Sequence, residues 1–145
     1  MSLRYATVVV VSAGGASVPA GGITHAGNVR TAIANSITNG IDQSATAGVF
    51  RLFTVDDIAI VSIVGDKPFF ESAIAGEIQM SGLPRIESTA GGIAYYFTLA
   101  DGDLTHHITG TVSGIGGGGD IELSTTTITG GKLFELRGLT YTAPL

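Results

Sequence analysis

The stretch from Ile93 to Val112, IAYYFTLADGDLTHHITGTV, constrains the fold of this chain more than any other. Ile93, Tyr95, Phe97 and Leu99 alternate with smaller or polar residues up to Asp101-Gly102, and Leu104 to Val112 alternate back. A period of two is the signature of a strand, because successive side chains point to opposite faces. Asp-Gly supplies the positive φ angles that a tight reversal uses. The stretch therefore predicts an antiparallel hairpin turning at Asp101-Gly102.

Other segments read the same way. Tyr5 to Val11 predicts a strand ended by Gly14 and Gly15. Val49 to Val55 and Ile58 to Val64, joined at Asp56-Asp57, carry apolar residues on both faces, as strands buried on two sides do. Phe69 to Met80 places Phe70, Ile74, Ile78 and Met80 on one parity and Glu71, Glu77 and Gln79 on the other, predicting one half-buried strand. Pro68 and Pro84 flank it, where no ladder donor is needed. Two further strands are expected over Ile121 to Ile128 and Lys132 to Tyr141. One helix is expected near residues 28–39, with Val29, Ile33, Ile37 and Ile41 at helical spacing, Thr24 or Asn28 as cap and Gly40 as stop. Short strands punctuated by glycine predict a mainly β fold, a single antiparallel β-sandwich or jelly-roll-like domain over residues 1–145.

Composition narrows the function classes. Charged residues make up 13% of the chain and apolar ones 44%, with 22 glycines. That charged share is about half of the ordinary value, leaving few groups to solvate a monomer. Apolar surface closing against other subunits is the expectation, a homo-oligomer with a trimer preferred over a dimer. The net charge is −5 and the seven basic residues are scattered, so no nucleic-acid partner is expected. No apolar run is long enough to span a bilayer, and no membrane partner is expected. The opening MSLRYATVVVVSAGGASVPAGG superficially suggests a signal peptide, but its apolar core is only Val8 to Val11. A first strand and a Gly-rich loop account for it.

The motifs that carry chemistry mostly fail on context. Gly114, Gly116 and Gly119 spell G-x-G-x-x-G, yet DIELSTTTI follows, a β-branched alternating run and not the helix that faces a pyrophosphate. Gly131-Lys132 is followed by Leu133, so it is no Walker loop. Gly114 to Gly119 reads as a connector or a particle-contact loop that binds no nucleotide, and no cofactor is expected. His106 and His107 are strand neighbours facing opposite ways, so they do not share a metal. The parity of Leu104, Ile108 and Val112 predicts a buried or interface His106, and that of Thr105, Thr109 and Thr111 a solvated His107. Asp101 and Asp103 begin like a calcium loop but no acid closes it, and turn chemistry explains them. Asp56-Asp57 and Asp120-Ile121-Glu122 complete the acidic clusters, and no catalytic or metal residue is assigned. An enzyme would need His25 or His107 gathered with distant acids. A receptor- or glycan-binding β-sandwich is the alternative to a structural role, with Tyr95 or Tyr96 and Tyr141 as its aromatic platform.

Tyr5-Ala6-Thr7, NVRTAIANSITNGID, GVFRLFT and TGTVSGIGGGGDIELSTTTITGGKLFELRGLTYTAP together resemble a family of small structural proteins of tailed bacteriophages and prophages. The match is closest over Gly110 to Pro144, about a quarter of the chain, and with the helix it covers about half; Gly14 to Gly22 and Ala59 to Ser81 depart from it. The resemblance implies a non-catalytic virion protein, a head-decoration or tail-associated component located in the virion and contacting other virion proteins.

Overall fold

The computed structural model describes Arg4–Ser12 and residues 23–144. In chain order they form β1 (Arg4–Ser12), α1 (Gly27–Ile41), β2 (Val49–Phe53), β3 (Ala59–Val64), β4 (Glu77–Gln79), β5 (Arg85–Ser88), β6 (Gly92–Ile93), β7 (Tyr96–Ala100), β8 (His106–Gly114), β9 (Ile121–Leu123), β10 (Thr127–Ile128) and β11 (Leu133–Thr142). The fold is mainly β and sandwich-like, with one helix among the described residues. No helix among them is long and apolar enough to cross a membrane. The glycine tract Gly14 to Gly22 lies outside the described residues.

Two main sheets make the sandwich. One has the order β3-β2-β7-β8-β9; in the other β11 pairs with β1 on one side and with β4 and β5 on the other, and β6 and β10 form a small ribbon. Most pairings are antiparallel, but β1 runs parallel to β11 and β9 parallel to β8. Phe50, Leu52, Phe97 and Leu99 face Ile78, Phe134, Leu136 and Leu139 in one continuous core. Phe50 and Phe97 stack at 6.2 Å, and Phe69 meets Phe70 edge-on at 5.0 Å. Such ring pairs add to the area term of roughly 25 cal/mol per Å².

The expected hairpin is present as β7 and β8, with Leu99 opposite Ile108 and Thr98 opposite Thr109. It begins at Tyr96, because Ile93 belongs to β6 and pairs with Thr127. Its reversal also differs in mechanism. Leu104, at φ 65°, takes the left-handed conformation, and Gly102 does not. Gly102 is required by space, since a Cβ there would lie 2.0 Å from Thr46 Oγ1 and 2.5 Å from its carbonyl oxygen.

Several boundaries moved for physical reasons. The helix runs through Gly40 to Ile41, and its N-cap is Ala26 without a side-chain cap bond, not Thr24 or Asn28. Fully buried Ile41 draws the last turn onward, while Val29 at the other end is exposed and Ala34 takes its place in the core. Phe69 to Met80 is not one strand. Ala75 and Gly76, both at positive φ, fold it back so that Phe70 bridges Met80 and Ile74 bridges Glu77. Ile74 consequently points to solvent. Ile121 to Ile128 splits into β9 and β10, which serve different sheets. β2 is central as expected, whereas β3 is an edge of its sheet and exposes Val64.

Gly102→Val is expected to destabilise the domain by about 1–3 kcal/mol, the usual cost of overpacking. Gly114→Ala, where a Cβ meets nothing within 4 Å, should stay within about 0.5 kcal/mol of wild type in urea unfolding.

Candidate functional site

The glycine loop does gather amides around an anion, and the anion is the chain's own. Gly116 and Gly118, at φ 83° and 78°, turn their N–H groups inward. The Gly116 amide donates to Glu122 Oε2 and the Gly118 amide to Oε1, both at 3.1 Å. Gly119 N–H donates to Ser113 Oγ at 2.9 Å. Successive inward amides form a nest of the kind that holds phosphates. Here the strand β9 follows, as expected, and its Glu122 reaches back to fill the nest. Asp120 in turn accepts from the Thr111 amide and hydroxyl at 2.8 and 2.9 Å.

The two histidines exchange the environments that parity predicts. β7 and β8 slip register between Leu99 and Ala100, so that His106 opposes Ala100 while Leu99 opposes Ile108. His107 is the extra residue of this bulge, and a bulge re-aims side chains. His106 is exposed, and His107 turns under the end of α1. There its Nε2 lies 3.1 Å from Asp101 Oδ2; the carboxylate can only accept, so the imidazole donates. Gly40 packs on the same ring, where a Cβ would stand 3.1 Å from Nδ1.

Asp101 is buried and fully engaged. Gln43 Nε2 donates to its Oδ2 at 2.7 Å, and the amides of Asp103 and Thr105 donate to its Oδ1 at 2.9 and 3.0 Å. The Gln43 bond first, and His107 next, hold the carboxyl well below the usual carboxylate range, against the opposing effect of burial. Ser44 Oγ donates to Asp103 at 2.8 Å, and Lys67 donates to the Ser44 carbonyl. The cluster ties the helix end to the β7–β8 loop. Among the described residues no three His, Cys, Asp or Glu side chains are placed to hold a metal.

A large apolar opening lies elsewhere. The β2–β3 turn and the segment before β7 line a groove of about 550 Å³ with Val55, Ile58, Ile93 and Tyr95, together with Gly91 and Gly92. All four large side chains are more than half exposed. Local structure explains this. Asp57 at φ 63° lets the turn swing out from the sheet, while Tyr95 and Ile93 sit past the end of the β2–β7 ladder. Tyr96 instead stacks on Phe53 at 4.8 Å and donates its hydroxyl to Asp57 at 2.8 Å. Burial and that bond raise its pKa. Tyr141 is buried in the core, which removes it from any aromatic platform. The sequence singled out Tyr95 but not the groove, which joins two segments about 35 residues apart (Thr54 to Ile58 and Gly91 to Tyr95).

No protein-family model, curated protein or solved structure matches the chain.

Two outcomes check this geometry. Glu122→Ala should leave the fold intact and speed amide exchange at Gly116 and Gly118, read by NMR, because both lose their acceptor. Asp101→Asn should lower Tm at neutral pH. The folded-state pKa of Asp101 lies below its ordinary 3.8, so its stabilisation is present above that value and is lost as pH falls further. The Tm gap between wild type and the variant should therefore narrow below about pH 4.

Proposed function

We propose that this chain is a non-catalytic structural protein of a tailed-phage or prophage virion, a head-decoration or tail-associated component acting through subunit contacts. The observation that carries the reading is the groove of Val55, Ile58, Ile93 and Tyr95. Four large apolar side chains gathered in one exposed patch support this reading, because such a patch is what a subunit contact covers. Its occupant in this reading is a second copy. The low charged fraction supports that, since a chain with 13% charged residues solvates an isolated subunit weakly. The engaged states of Asp101 and Glu122 support a non-catalytic role, because their lone pairs serve the fold. The family resemblance over Gly110 to Pro144 supplies the virion setting.

Exposed Tyr95 favours one other reading, a glycan-binding module, in which the groove takes a sugar against the ring.

Light scattering after size exclusion should find an oligomer, and Ile93→Asp should shift it to monomer with Tm little changed. A wild-type monomer at every concentration counts against subunit contacts. Oligosaccharide binding lost in Tyr95→Ala, with assembly unchanged, would favour the glycan reading.

A further inference from the structure

Among the described residues Arg51 lacks the partner that its charge calls for. It stands on β2, on the face of the five-stranded sheet turned away from core residues Phe50 and Leu52. Arg85 pairs with Asp66 and Arg137 with Glu135, but no carboxylate among the described residues pairs with Arg51. Its guanidinium carbon sits 4.7 Å from the Phe53 ring centroid, a stacking that fixes the plane of the fork. Nη2 lies 3.4 Å from His106 Nε2. A guanidinium only donates, so Nε2 is the acceptor in this contact.

Two polar atoms at this place are stranded. Arg51 Nε and Thr98 Oγ1 are both buried without a hydrogen-bond partner. They belong to residues directly opposite each other in the β2–β7 ladder, and Thr98 is 0% exposed. Buried polar groups are almost always paired, so two orphans on facing positions of adjacent strands call for a partner that the described residues do not supply. Thr109, opposite Thr98 on β8, and exposed His106 border the same place. The carboxylates at its margins are already engaged, Asp57 by the Tyr96 hydroxyl and Asp120 by Thr111.

We propose that Arg51, Thr98 and His106 form a binding site for a small organic carboxylate, at a place distinct from the apolar groove. A planar guanidinium fork matches a carboxylate with two parallel bonds. One guanidinium balances a single negative charge, which favours a carboxylate over a phosphate dianion. The unpaired Thr98 hydroxyl is a further donor, and His106, accepting from Nη2, steadies the fork. Phe53 is covered by Arg51 and Tyr96, so recognition rests on the anion and not on an open aromatic face.

The test is a ¹H–¹⁵N NMR titration of the full chain with sodium acetate, sodium chloride holding ionic strength constant, and acetamide as the neutral isostere. Saturable shifts centred on Thr98, His106 and Thr109 are expected with acetate alone. Arg51→Gln should weaken binding by about tenfold or more, and Arg51→Lys should restore only part, because an ammonium lacks the fork. His106→Gln, an exposed change, gives an independent loss where Arg51→Gln disturbs the sheet. No saturable shift up to ~100 mM acetate, an equal response to acetamide, or unchanged binding in folded Arg51→Gln would each overturn the site.

Discussion

Strand β11 is the constraint on which this architecture rests. It is hydrogen-bonded to β1 on one side and to β4 and β5 on the other, so segments from both ends and the middle of the chain meet along one ten-residue line. Its inward residues Phe134, Leu136, Leu139 and Tyr141 supply much of one wall of the core. The parity changes between Leu136 and Leu139, and the β1 register shifts there too, passing from Thr7 opposite Leu136 to Val8 opposite Gly138. A strand with one extra residue bends, and the bend lets β4 and β5 occupy successive portions of the same edge. A chain without cysteine has no covalent staple to replace that closure.

The second sheet is fastened to the helix by a polar joint. Asp101 lies at the end of β7, where a buried carboxylate would oppose folding if left unpaired. Its oxygens instead accept from two backbone amides of the following turn, from Gln43 just past α1 and from His107. Each bond fixes a different element, so one side chain sets the turn, the helix end and the bulge together. Gly40 and Gly102 are the counterparts in shape. Their missing Cβ atoms let the His107 ring and Thr46 approach.

These features divide what sequence makes legible from what it hides. Alternation in Phe97 to Leu99 and Thr109 to Val112 exposed the β7–β8 hairpin, because period and turn act between near neighbours. The same logic failed at His106 and His107. A bulge adds one residue and reverses parity, and nothing local announces it. Phe70, Ile74 and Ile78 kept a strand-like alternation across a reversal at Ala75, a residue that rarely adopts positive φ. Gly40 resembled a helix stop because the packing that needs it comes from His107, some 67 residues later in the chain. The apolar groove was equally invisible, since its two walls are joined only by tertiary folding.

The two ends of the charge distribution are treated oppositely, and that contrast bears on function. Acids in this chain are largely absorbed by its own structure: Asp101 by four donors, Glu122 by the glycine nest, Asp120 by Thr111 and Asp42 by the Phe69 amide. Backbone N–H groups are plentiful at turns, so a Gly-rich, loop-rich fold neutralises carboxylates without spending cations on them. The cations are used within the fold as well: Arg30 donates to the Ala143 carbonyl and Lys67 to that of Ser44, while Arg85 pairs with Asp66 and Arg137 with Glu135. Arg51 is different because the strand beside it presents Thr98, which offers no charge. It sits on an aromatic ring, near an exposed histidine, and across the ladder from a residue with an unpaired hydroxyl. A fold that satisfies carboxylates so thoroughly with its backbone leaves this guanidinium turned outward, toward an acid supplied by something else.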